Sequence, residues 1–326
     1  MPYIPERKPD PAEEKEKQRK AEKQRKLIRW SVATVSCLLI VYGAVRLIGY
    51  GAESAASRNT SRELQEIHEQ ATEIPAVTET PVPTATPAVT ESPAATSPPE
   101  TAAPVPEKAA ERKLKPLSYP NNPNMEMNER FKSLRKKSEY IVGWLSMDGV
   151  EEAVVRKDNA FFLDHDAMGK KNSNGAIFLD EEISLVMYRP YTLILYGHNM
   201  KNGNMFGSLR KYKENAYAQR HRIITFDSLY EDGQYAVFAV LEFSVDPLAR
   251  NWFDVWALDA KGIAEREEAI RTLEALSDHG SVLDVQAEDQ LLLLVTCLDG
   301  ADERLMVAAR RLRDGETAES LVFRPR

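Results

Sequence analysis

Apolar and polar positions alternate differently in three stretches of this chain, and each pattern predicts a different kind of structure. Trp30–Tyr50 is mostly apolar, and Glu53–Thr72 after it keeps helical spacing, so one helix is expected to continue for several turns. Ile74–Pro106 is rich in Pro, Thr and Ala, lacks aromatic residues and cannot form a packed core. From about Leu117 onward, short apolar runs predict strands at Ile141–Ser146, Glu152–Val155, Ala176–Leu179, Leu193–Tyr196, Arg222–Phe226, Gln234–Ser244, Leu291–Thr296 and Leu305–Leu312. Turn pairs such as Asp148-Gly149, Asn174-Gly175, Asn202-Gly203 and Asp232-Gly233 separate them. Asn128–Tyr140 and Ala264–Ser277 instead repeat at the helical period. Many short strands with one late helix predict a mainly β domain with helices: a mixed barrel with a helical excursion, about 210 residues long.

Charge sharpens this division. The net charge of −7 hides a basic start, in which Lys15, Lys17, Arg19, Lys20, Lys23, Arg25, Lys26 and Arg29 precede the apolar run. A nucleic-acid tail is one reading of that tract; because it abuts an apolar segment, a topology signal is preferred. As a helix, the 21 residues Trp30–Tyr50 reach about 31 Å, against roughly 30 Å for a bilayer core. Arg46 lies close enough to one end to snorkel, and Trp30 and Tyr50 sit where interfacial aromatics belong. The expected organisation is a cytoplasmic basic tail (1–29), a single-pass membrane anchor (30–50), an extracellular stalk (51–117) and a folded domain (118–326). A cleaved signal peptide is the rival reading, but no clean small-x-small site follows the run. In polyproline II the Pro-rich tract would reach roughly 100 Å, which suits a spacer.

The chain has 2 cysteines, Cys37 in the apolar segment and Cys297 in the folded domain, and this topology keeps them from pairing. A lone thiol in an exported domain is either inert packing or chemistry. Its setting favours chemistry, because the run LLLLVTC delivers Cys297 at a strand end and Arg304 follows seven residues later. Upstream, YTLILYGHNM delivers His198 in the same way. A thiol attacks as thiolate, an imidazole can take its proton, and a guanidinium can stabilise an oxyanion. Cys297, His198 and Arg304 fit those roles, and the N–H of Leu298 is a natural second oxyanion donor. No Gly-rich phosphate loop or CxxC appears, so nucleotide, nucleic-acid and zinc chemistry have no support, and no cofactor is expected.

Several motifs extend this constellation over Asn128–Arg313. Tyr196-Gly197-His198-Asn199, Leu294-Val295-Thr296-Cys297 and the strand Arg304–Arg310 resemble the histidine, L-x-T-C and arginine motifs of class B sortases. Val142–Leu145, Lys157–Asn159 with Phe161–Leu163, and Gly175–Asp180 are similar to their N-terminal half. These enzymes are membrane-anchored cysteine transpeptidases of Gram-positive bacteria. The resemblance implies an eight-stranded barrel with an N-terminal helix and a helix inserted between the sixth and seventh strands, here within Pro247–Gly280. It implies cleavage of an NPxTx-like C-terminal sorting signal of secreted proteins, a thioester acyl-enzyme, and transfer to an amine of a peptidoglycan precursor or a pilin. It also suggests Asn159 and Leu163 as substrate contacts, with Thr296 lining the pocket. Val295 stands where class B enzymes usually carry serine, and Leu298 where a polar residue is common, so substrate preference is open.

Other residues take plainer assignments. Asp164-His165-Asp166 looks like a metal cluster, but adjacent residues rarely converge on one ion, and no metal is expected. Trp252 and Trp256 are assigned to packing in the insert over a wall for the sorting signal. Glu265–Glu268 reads as a solvated helix face, and Asp299 as a loop acid. A secreted cysteine peptidase with the same three residues, or a non-catalytic wall-associated module, are the alternative functions.

Overall fold

The computed structural model describes residues 11–72 and 112–325, apart from 279, 280, 299, 301 and 323; the Pro-rich tract Ile74–Pro106 and Asp299 lie outside the described residues. The chain divides into two compact units, Met1–Ala56 and Ser57–Arg326. Helix α1 spans Pro11–Thr72, so the helical spacing over Glu53–Thr72 continues the helix as expected. Among the described residues, no helix is long and apolar enough to cross a membrane. The side chains of residues 30–38, in the first half of the expected anchor, are outside that description.

In the second unit, turn-bounded apolar runs become strands. In chain order these are β1 (Ile141–Met147), β2 (Val150–Val155), β3 (Ile177–Leu179), β4 (Thr192–Tyr196), β5 (Ile223–Ser228), β6 (Gln234–Ser244), β7 (Ser281–Val282), β8 (Leu291–Cys297), β9 (Glu303–Arg311) and β10 (Arg324–Pro325). Eight of them close a barrel in the order β1-β2-β3-β4-β8-β9-β6-β5, while β7 pairs with β10 alone. The expected eight-stranded barrel is therefore present. Its β2–β3 and β4–β8 junctions are parallel. At β4–β8 both strands are covered on both faces, which is why each reads as an unbroken apolar run. Leu291 to Val295 are all buried, as are Leu193, Ile194 and Leu195.

Helix α2 (Glu129–Lys137) starts at Asn128, whose side chain accepts from Arg130 N, and it buries Phe131 and Leu134, one turn apart. The inserted helix α3 (Ile263–Leu276) lies between β6 and β8, as the resemblance implies. Its run Glu265–Glu268 is not uniformly solvated. Arg266 is fully buried and donates to Leu258 O, Ala287 O, Tyr191 O and Thr192 Oγ1, tying the insert to β4 and to the loop before β8. Trp252 and Trp256 correct a second assignment: at 44% and 40% exposure they are not packed away within the insert. Ser57–Thr72 lies on the barrel, where Leu64 is buried and His68 stacks on Trp144 at 4.2 Å.

Candidate active site

Strand register brings Cys297, His198 and Arg304 to one rim of the barrel. β4 and β8 run parallel with Tyr196 opposite Val295, so two residues further on His198 comes level with Cys297. The alignment persists past the strand ends, because Gly197 N donates to Val295 O (3.3 Å) and Thr296 Oγ1 donates to Gly197 O (2.6 Å). β8 and β9 are antiparallel with Cys297 directly opposite Arg304. Side chains at opposed positions project from the same face of a sheet. Along β8 every residue is buried except the last, and Cys297 ends the strand as an exposed free thiol.

The imidazole is held from the far side. His198 Nε2 lies 2.6 Å from Leu163 O. A carbonyl only accepts, so Nε2 carries the proton in this contact and Nδ1 is left as the basic nitrogen of the neutral ring. Leu163 ends a 3-10 turn, Phe161–Leu163, whose Phe162 is buried. Against this turn rests Gly175, at φ +62°; a Cβ there would meet Phe162 O at 2.4 Å, and Leu163 O and His198 Cδ2 at 3.1 Å. Only glycine allows that approach. Sequence reasoning placed Gly175 in a turn and missed its contact with the ring.

The expected substrate contacts divide. The Leu163 side chain is 46% exposed, on the segment that holds His198. The Asn159 amide is engaged within the fold: it donates to Asp180 Oδ2 (3.1 Å) and accepts from Glu181 N (3.0 Å). Asp180 in turn raises the pKa of Tyr196, whose own burial is the larger cause. Thr296 is buried and its hydroxyl donates to Gly197 O, which braces β8 against the histidine loop. The Leu298 N–H donates to Glu303 O at 2.9 Å. Arg304 brings a guanidinium to the rim, where its Nη1 donates to Glu303 O at 3.0 Å. The Asp164-His165-Asp166 triplet is accounted for by loop contacts, because His165 Nδ1 meets Phe161 O at 2.9 Å and Asp166 Oδ1 accepts from Met168 N and Lys170 N. Among the described residues no group is arranged to hold a metal ion.

A thiol, an imidazole with a free basic nitrogen and a guanidinium on adjacent strand ends can perform acyl transfer through a covalent intermediate. The sortase domain model matches residues 147–312, half of the chain. The chain belongs to the sortase family. It is 28% identical over 179 residues to sortase B of Listeria monocytogenes, covering 54% of this chain and 70% of that protein. With sortase B of Staphylococcus aureus it shares 27% identity over 191 residues, covering 56% and 75%. Among solved structures, S. aureus sortase B superposes with a TM-score of 0.50 at 26% identity, covering 58% of this chain and 90% of that one. Sortase B of Bacillus anthracis in complex with AAEK2 gives 0.56 at 25%, covering 79% and 97%. This sortase is thus a class B member and a cysteine transpeptidase.

Proposed function

We propose that this sortase cleaves an NPxTx-like sorting signal of secreted proteins after its threonine and transfers the acyl group to a cell-wall or pilin amine. Cys297 Sγ attacks the scissile carbonyl carbon as the thiolate, and His198 takes the thiol proton. The developing oxyanion is met by Arg304. As the peptide bond breaks, His198 returns the proton to the leaving amine, and a thioester to Cys297 remains. An incoming amine attacks that thioester, passes a proton to His198 and leaves as the new amide, which restores the thiol. The observation that carries this reading is the β4–β8–β9 register, with Cys297 opposite Arg304 and level with His198.

Leu163 suits contact with the peptide, because it is exposed on the segment that holds His198. Location belongs to the same proposal: the apolar length of Trp30–Tyr50 and the basic residues ahead of it support a single-pass anchor, with the barrel outside the cell. The test uses the full chain and a quenched NPxTx peptide. Cleavage is expected after the threonine, with a new amide when a peptidyl amine is supplied and free acid when it is not. Cys297→Ala should abolish both; retained turnover in that variant would remove Cys297 from its role. Free acid alone, even with amine in excess, would favour a cysteine peptidase.

A further inference from the structure

Beyond the three reactive side chains, the peptide unit that follows the nucleophile is pinned at both ends. Asn199 Nδ2 donates to Cys297 O at 2.8 Å, and Leu298 N–H donates to Glu303 O at 2.9 Å. The clamping amide is itself oriented, since Arg210 Nε donates to Asn199 Oδ1 at 2.9 Å. A guanidinium accepts nothing, so it selects the amide oxygen and turns the amide NH2 toward the Cys297 carbonyl. Arg210 lies on the 3-10 turn Phe206–Lys213, and the loop joining it to β4 closes on itself through Phe206 N donating to His198 O at 2.9 Å. The loop that carries the imidazole therefore also grips the backbone of the thiol.

We infer that Asn199 is a positioning residue for Cys297, held by Arg210 and acting through the Cys297 carbonyl; the inference rests on Cys297 being the nucleophile. Two physical effects follow from the contact. The negative end of the Cys297 carbonyl dipole is capped by a donor, so it opposes a thiolate or oxyanion beside it less strongly. The backbone torsions at Cys297 are also fixed, because rotating the peptide would break the Asn199 and Leu298 hydrogen bonds together. β4 ends at Tyr196, so at the rim the regular strand ladder no longer sets the distance between the histidine and cysteine segments. The Arg210–Asn199–Cys297 chain shares that task with the Thr296 Oγ1–Gly197 O hydrogen bond.

The test compares wild type, N199A, N199D, R210A and N199A/R210A as full chains, reading steady-state cleavage and the pH profile of Cys297 alkylation by iodoacetamide. In N199A, kcat is expected to fall about 10- to 100-fold with KM nearly unchanged, the loss typical of a misaligned reacting group. N199D keeps the shape and the Arg210 contact but cannot donate to a carbonyl, so it should lose at least as much. R210A should lose less, and should add nothing in the N199A background. The alkylation midpoint should move upward in N199A and N199D. A folded N199D with wild-type kcat and an unmoved midpoint would overturn the inference, as would multiplicative losses in the double variant. Should wild type cleave no sorting peptide, the substrate reading falls; the alkylation midpoints then decide the positioning role alone.

Discussion

Gly175→Ala tests how tightly the imidazole is seated. At φ +62° an alanine pays the left-handed penalty, about 1–2 kcal/mol. The new Cβ would also sit 2.4 Å from Phe162 O, where backbone must move, and 3.1 Å from both Leu163 O and His198 Cδ2. Leu163 O is the acceptor that fixes His198, so the displacement goes straight to the proposed general base. Gly203 supplies the control: at φ +83° it has nothing within 4 Å of an added Cβ, so Gly203→Ala isolates the backbone penalty. Thermal melts should place Gly175→Ala about 1–3 kcal/mol below Gly203→Ala, by the usual cost of overpacking. Its kcat/KM should fall about 100-fold, the order expected when a catalytic group is displaced by 1 Å. Gly203→Ala should retain activity. If Gly175→Ala matches Gly203→Ala in stability and turns over normally, the contact of Gly175 with the histidine seat has no functional weight.

Two further outcomes follow from buried charge. Arg266→Ala leaves the buried Ala287 carbonyl without its donor, while Leu258 O keeps Thr192 Oγ1 and Tyr191 O keeps Leu291 N, so a loss of about 1–3 kcal/mol is expected in denaturant unfolding; an unchanged unfolding midpoint would show that solvent or rearrangement replaces the guanidinium. Burial pushes the Glu152 carboxyl from 4.5 up to about 7, with Ser61 opposing and Glu151 adding to the rise. Between those values the folded state holds a proton that the unfolded state has lost, so stability falls as pH rises from 4.5 through 7, by up to about 3 kcal/mol. Glu152→Gln should flatten that decline, and a pH-stability curve parallel to wild type would refute it.

How much was legible depended on how local each determinant is. β4 and β8 were readable because a strand covered on both faces leaves an unbroken apolar run, and Cys297 and His198 stood out as the polar residues ending those runs. Arg266 was not readable. Set among Glu265, Glu267 and Glu268 it looks solvated, whereas its partners are carbonyls from segments up to 75 residues away. The hydrogen bonds of Thr296 and the Leu298 N–H were hidden for the same reason, since their partners Gly197 O and Glu303 O are fixed by register. The docking of Ser57–Thr72 was hidden too: helical spacing announces a helix but not the face on which Leu64 and His68 will rest.

The parallel junction between β4 and β8 has a consequence for when reactivity can arise. A hairpin would unite its two ends early and locally; here about a hundred residues, including the whole inserted helix, must be laid down before the second ribbon can slot beside the first. Until that closure the sulfur has no base within reach and behaves as an ordinary thiol. On the proposed mechanism, activation of the Cys297 thiol is thereby tied to completion of the barrel, and a half-folded chain carries only an unassisted thiol.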